Sequence, residues 1–433
     1  MKKSILLLGC MLVGLVFTAQ AQTELNTVWE STARTGADGA PSWFTAGFNR
    51  GLAMYDGQLF VADRTNSAIQ VLDAKTGAEV TLETPFDLSM LAGGTYTMND
   101  IEASDDGIIF LGNLTVNAST SAFNLYVYDA AGGDTLSTYS FTTTAEHRLG
   151  DRFAVVGSVA ENTAEIWVPA ASSDPGVVYQ LTTADGGETW SRATLTLSGD
   201  NPSLPSNVDV VPLAAGGTDF YIAGNGSSPK RFTSDGAYVA NSQFVSTSFN
   251  GSKNGFDYFE ADGVEHLAVY SYRPDPVNSG NKTGYVSVYN VDDPTAPTTV
   301  FESPLMGDDV DGFSSVYGEV KATVTTDGLI FHALDGVNGL AAYTNAEPLT
   351  PANLFFSEYI EGSSNNKALE IFNPTDAEVS LNGFTIEQSS NGDDWEFYHY
   401  FPEGATIAAG DVYVIIADQV DTELFDHANA DEE

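Results

Sequence analysis

From about Trp29 to Thr344, short apolar runs alternate with Asp-Gly or Asn-Gly pairs along the chain. The clearest copies are Leu52 to Asp63, around Asp56-Gly57, and Ile101 to Leu111, around Asp106-Gly107. Each continues into a run rich in Val or Tyr, Ala68 to Asp73 in the first and Asn124 to Asp129 in the second. Further copies surround Asp151 to Val168, Asp209 to Gly224, Asp257 to Tyr272 and Val320 to Tyr343. The Asp-Gly pairs predict hairpin turns, because few residues other than Gly tolerate the positive φ that tight hairpins need. Nothing between them carries a helical period. A repeat of roughly 40 to 55 residues built from antiparallel hairpins predicts a β-propeller. The expectation is one closed ring of about six four-stranded blades over residues 29–346. A pair of β-sandwiches is the rival, and the repeated strand-turn-strand order favours the propeller.

After Ala346 the pattern changes. Glu347-Pro348-Leu349-Thr350-Pro351 reads as a short stiff linker. Leu369 and Ile371 then alternate as a half-buried strand, and Asn373-Pro374-Thr375 reads as a turn. Leu381, Phe384 and Ile386 begin another strand, and Ala409-Gly410-Asp411 turns into Val412 to Ile416. The blocks Leu354 to Gly362, Asn365 to Thr375, Val379 to Ile386 and Ile407 to Ile415 follow one another in the order seen in the lamin tail domain, in its bacterial secreted form. Residues 352–433 resemble that family, with Glu358, Asn366, Glu370, Asn373, Gly383 and Gly410 as the motif positions. The resemblance implies an immunoglobulin-like sandwich, so the fold class expected of the whole chain is all-β. Such domains run on through further strands after the Val-Tyr-Val-Ile run, and on that pattern the domain is expected to be incomplete at Glu433.

Composition narrows the setting. Lys2 and Lys3, the apolar run Ser4 to Thr18 and Ala19-Gln20-Ala21 read as a secretory signal peptide over residues 1–21, cleaved after Ala21. The run is shorter than a spanning helix requires, and it continues past Cys10, unlike a lipoprotein box. Cys10 is the only cysteine, so the mature chain is expected to lack disulfides and thiolate metal sites. Acidic residues outnumber basic ones 59 to 16, for a net charge of −43, yet 42% of residues are hydrophobic. That combination describes a folded protein suited to saline surroundings, with cations screening its surface. Direct nucleic-acid binding, which is built from Lys and Arg neutralising phosphates, is not expected of this segment. No membrane span is expected after cleavage.

Candidate chemistry is sparse. Thr183-Ala184-Asp185-Gly186-Gly187-Glu188-Thr189-Trp190 matches an Asp-box, whose positions Thr183, Asp185, Gly187, Thr189 and Trp190 predict a folded rim turn rather than a catalytic group. Asn99-Asp100 opens a run similar to those of gluconolactonase-like propellers, which hold Ca²⁺ or Zn²⁺ in the channel; Asn207, Asp209 and Asp257 stand at comparable strand starts. These residues, with Asp309 and Asp311 in an acidic turn, are the candidate oxygen ligands for Ca²⁺. The favoured reading is that the first five merely cap strand entries and that Asp309 and Asp311 belong to a solvated acidic turn. Sialidases grip a carboxylate with three arginines, and none of the eight arginines stands in the Arg-Ile-Pro context of those enzymes. The five histidines show no His-Glu-x-x-His spacing, and no nucleophile elbow or phosphate loop is present. The expected function is a secreted, non-catalytic binding or scaffold protein, taking an extracellular protein or a glycan as partner. The alternatives are a metal-dependent, lactonase-like hydrolase working in the channel, or the accessory region of a secreted nuclease or phosphoesterase.

Overall fold

The computed structural model describes residues 24–32, 39–200, 202–225, 227–244, 255–274, 282–307, 317–325, 328–346, 354–363, 366–375, 378–382, 384–389, 395–402, 404–417, 419–420 and 430–431. The chain divides into two compact units, Met1–Ala346 and Glu347–Glu433.

The first unit opens with β1 (Asn26–Thr32), which waits for a partner at the far end of the unit. Blade 1 follows as β2 (Asn49–Tyr55), β3 (Gln58–Asp63) and β4 (Ala68–Asp73), and blade 2 as β5 (Tyr96–Ala103), β6 (Ile108–Leu114), β7 (Phe123–Asp129) and β8 (Ser137–Phe141). Blade 3 comprises β9 (Ala154–Val156), β10 (Glu165–Pro169), β11 (Val177–Thr182) and β12 (Ser191–Thr196). Blade 4 has β13 (Ser206–Pro212), β14 (Phe220–Asn225) and β15 (Ser227–Phe232); blade 5 has β16 (Phe256–Ala261), β17 (Val264–Pro274), β18 (Lys282–Asn290) and β19 (Thr298–Glu302). Blade 6 joins β20 (Gly318–Thr325), β21 (Gly328–Asp335) and β22 (Gly339–Thr344) to β1, which pairs with β22 from Asn26↔Thr344 to Thr32↔Gly339. The sheets are antiparallel meanders, and β2, β5, β9, β13, β16 and β20 are their innermost strands. Blades 1 and 4 have three strands rather than four among the described residues.

Six apolar clusters lie between successive blades, and the sixth joins blade 6 back to blade 1 through Leu334, Leu340, Leu52 and Leu59. Ring closure follows from that cluster and from β1. Each sheet is covered on both faces, which is why its strands read as continuous apolar runs. Period-two alternation sends neighbours to different interfaces. Phe110 packs toward blade 3 while Leu111 packs toward blade 2's other neighbour, blade 1. Ile166 and Trp167, and Val210 and Val211, divide in the same way. The hairpin turns have the backbone their sequence demands: Asp56-Gly57 lies at φ 45° and 71°, and Asp262-Gly263 at 53° and 75°. Both central residues are left-handed, the primed turn that matches strand twist.

The second unit holds a three-stranded sheet of β23 (Phe355–Glu361), β24 (Lys367–Phe372) and β29 (Val412–Ile416), in that order. Two short pairs accompany it, β25 (Val379–Ser380) with β28 (Thr406–Ile407) and β26 (Thr385–Ser389) with β27 (Trp395–Tyr400). Its small core gathers Ile371, Leu381, Ile407 and Tyr413. Asn373 is fully buried and ties the unit together: its Nδ2 donates to Ile407 O and Ala408 O, and its backbone O accepts from Gly410 N. Gly410 itself lies at φ 70°. Gly362 N donates to Asn366 O at 2.7 Å, while Glu370 accepts from Ser357 Oγ and faces Glu358 across the β23–β24 ladder. Gly383 lies outside the described residues.

Candidate functional site

The polar side chains of the innermost strands meet along the propeller channel. Three aspartates repeat one job there: each accepts a backbone N–H from the next blade. Asp100 of β5 accepts from Phe153 N at 2.8 Å, Asp209 of β13 from Phe256 N at 3.3 Å, and Asp257 of β16 from Ala322 N at 2.8 Å. Asn99 adds a fourth brace by donating from Nδ2 to Gly150 O and Asp151 O. Asn207 is half-buried at φ 46° and opens β13 without joining this set of braces.

Two cations sit among these carboxylates. Arg152, 3% exposed in its side chain, places Nη1 3.5 Å from Asp100 and donates from Nη2 to Gly318 O. Its Nε lies 2.6 Å from Glu319 Oε2, an ion pair whose angle falls outside hydrogen-bond geometry. Lys321 of β20 donates to both oxygens of Glu102 at 2.7 and 2.8 Å, with Glu319 at 3.9 Å. Four buried carboxylates and the half-buried Asp257 therefore share two cations. Burial pushes Glu102 up to about 8 and Asp209 up to about 7, with the Lys321 and Arg152 charges working against the shift. Asp100, Asp257 and Glu319 move upward for the same reason. Burial alone would lower Arg152 and Lys321, but the surrounding carboxylates outweigh it and hold both above their ordinary values.

A cavity of about 410 Å³ opens where the innermost strands end, lined by Glu102, Asp209, Asp257, Glu319, Lys321 and Tyr258 among others. Its chemistry is that of an acidic, apolar-walled recess with a single ammonium. Among the described residues no group of three or more His, Cys, Asp and Glu side chains is arranged to hold a metal ion. Asp309 and Asp311 lie outside the described residues.

Strand periodicity carries a signal for Glu102 and Glu319, the two carboxylates that motif reading passes over. Asp100 and Glu102 stand two apart on β5, as do Glu319 and Lys321 on β20, so each pair shares a face of an otherwise apolar strand. The residues expected to form an Asp-box lie elsewhere, in the β11–β12 turn. Asp185 accepts from Thr189 N and Thr189 Oγ1, Thr183 Oγ1 accepts from Gly187 N, and Gly187 lies at φ 81°. Trp190 packs edge-on against Phe110 of blade 2, their centroids 5.7 Å apart. Thr233 and Asp235 build a smaller turn of the same kind after β15.

Residues 347–432 match the family model of the Lamin Tail Domain. No curated protein matches the chain. Among solved structures it is similar to the calcium-binding protein regucalcin of Agrobacterium tumefaciens, at 12% identity over 76% of this chain and 96% of that one, with a TM-score of 0.41. It is similar to a Trypanosoma rangeli sialidase in complex with sialic acid, at 12% identity over 84% and 72%, with a TM-score of 0.43. The WD40 domain of SCAP from fission yeast follows at 9% identity over 75% and 72%, with a TM-score of 0.29. The six-bladed ring is defined by its own strand pairing and interblade cores. No helix among the described residues is long and apolar enough to cross a membrane.

Proposed function

We propose that this chain is a secreted, non-catalytic binding and scaffold protein whose propeller recognises an extracellular protein or glycan and whose lamin-tail sandwich positions it. One observation supports the reading above others. The acidic side chains that reach the axis are already engaged, as interblade braces or as partners of Arg152 and Lys321. A hydrolytic metal needs oxygen ligands free to converge on it, and a general base needs an open path to its proton. The channel instead supplies its own cations.

The rival reading is a lactonase-like hydrolase using Ca²⁺ in the cavity beside Asp209 and Asp257. Incubating the full chain with aryl lactone, phosphodiester and sialoside substrates separates the two, with Ca²⁺, Mn²⁺ or Zn²⁺ and then with chelator. Hydrolysis at the buffer rate under every condition is the expected result. Metal-dependent turnover that disappears in Asp209→Asn would establish the hydrolase.

A further inference from the structure

The opposite mouth of the channel, where the innermost strands begin, has the reverse character. The chain has eight arginines, and four of them, Arg50, Arg64, Arg148 and Arg152, come from blade 1 and from the approach to blade 3 toward this end. Arg152 is committed to the axial ion pairs, and Arg148 is held in a two-pronged contact by Asp151. Arg50 and Arg64 are different. Neither lies within ion-pairing distance of a carboxylate among the described residues, in a chain with 59 acidic side chains to offer. Arg50 lies over the Tyr317 ring, its Cζ 3.1 Å from the centroid, and reaches Gly47 O only at 3.3 and 3.4 Å. Arg64 lies over the Tyr96 ring at 4.0 Å, and its Nε and Nη2 are buried without a hydrogen-bond partner among the described residues.

An unmatched guanidinium nitrogen away from water is costly. Arg64 is such a group, and the neighbouring cations add repulsion: burial and then the Arg50 charge bring Arg64 down to about 9, and burial with the Arg152 charge brings Arg50 down to about 10 against the pull of Tyr317. The tyrosine rings fix the planes of both guanidinium groups, which orders their N–H edges before anything binds. A planar fork of fixed donors matches the paired oxygens of a carboxylate or phosphate.

We infer that this mouth is a binding site for a small soluble ligand bearing a carboxylate or phosphate group, held by Arg50 and Arg64 and bordered by Tyr96, Tyr317 and the Arg148–Asp151 pair. The inference rests on reading the propeller as a binding module. Turnover of a substrate would overturn that reading and leave the site standing, whereas failure to bind would remove the site and leave the scaffold reading untouched.

The test is calorimetric titration of the full chain with glucuronate, inorganic phosphate and, as the uncharged control, glucose. Saturable binding of glucuronate or phosphate, and not of glucose, is expected, and whichever of the two binds identifies the oxyanion. Arg50→Gln and Arg64→Gln should each weaken it by about tenfold or more, and Arg192→Gln on the outer strand β12 should leave it unchanged. Arg64→Gln should also melt no lower than the parent, because it removes unmatched donors. Arg64→Lys, which keeps the charge and loses the fork, gives the same comparison if the glutamine variant fails to fold. Absence of saturable binding by both anions, or equal affinity in the arginine variants, overturns the site.

Discussion

Arg152 lies 3% exposed between Asp100 and Glu319, so its replacement tests the axial cluster directly. Arg152→Leu would leave two buried carboxylates short of their cation, a change that costs about 3 to 5 kcal/mol when one partner of a buried pair is removed. Urea unfolding of the parent and variant measures it, and a loss under about 1 kcal/mol would mean that the carboxylates were neutral already. The same cluster sets a pH dependence. Glu102 and Asp209 hold their protons more tightly folded than unfolded, at about 8 and about 7 against 4.5 and 3.8. The stability from such raised acids is fully present at low pH and is lost as pH rises through the folded values. Half-buried His147 and buried His266 and His332 act with the opposite sign, below their ordinary value of 6.5. Above pH 6.5 the carboxylates outweigh Lys230, which burial brings down to about 8 and which opposes them only at the top of the window, so the melting temperature should fall between pH 6.5 and about 7.5, and Glu102→Gln should flatten the slope. Asp100, Asp209 and Asp257 were legible in the sequence as polar residues at strand starts. Arg152 and Lys321 were not, because a lone basic residue carries no mark of which carboxylates it will meet across 50 or 200 positions of chain, about the separations seen here.

At the scale of elements, the hairpins were written in plain sight, since Asp-Gly pairs admit few other backbones. Inner and middle strands also showed themselves as apolar runs. The outer strands did not: β12 is exposed almost throughout, so nothing in its hydrophobicity marks it as a strand. Nor did the reading from Trp29 anticipate that β1 completes the last blade, because a pairing with β22 leaves no local trace. Close approach between β2 and β5 gives a mutational test. A Cβ on Gly51, at φ 69°, would stand 2.6 Å from Ile101 N, whereas one on Gly57, at φ 71°, would meet nothing. Gly57→Ala should cost about 1 kcal/mol of backbone strain, and Gly51→Ala clearly more, as read by denaturant midpoints. In the second unit, edge strand β23 exposes Phe355, Phe356, Tyr359 and Ile360. Sedimentation should detect concentration-dependent association of the chain that Phe356→Lys reduces, since a charge on an edge strand opposes strand addition.

For the molecule as a whole, a net charge of −43 is repulsion that every folded contact has to overcome. Raising NaCl toward 1 M shortens the screening length to ~3 Å, so the melting temperature should climb with salt. A flat or falling curve would remove the argument for saline surroundings. The pairing of Thr27 with Tyr343 has a consequence in time. Strand β1 is among the first parts of the ring to leave the ribosome, and its partner appears roughly 300 residues later, about 15 to 60 s at ordinary synthesis rates. Throughout that interval the outer strand of blade 6 exists without the sheet it completes, and blade 1 has no second neighbour. For a chain exported one end first, as the proposed secretion would require, the ring stays open until the propeller's last strand has arrived.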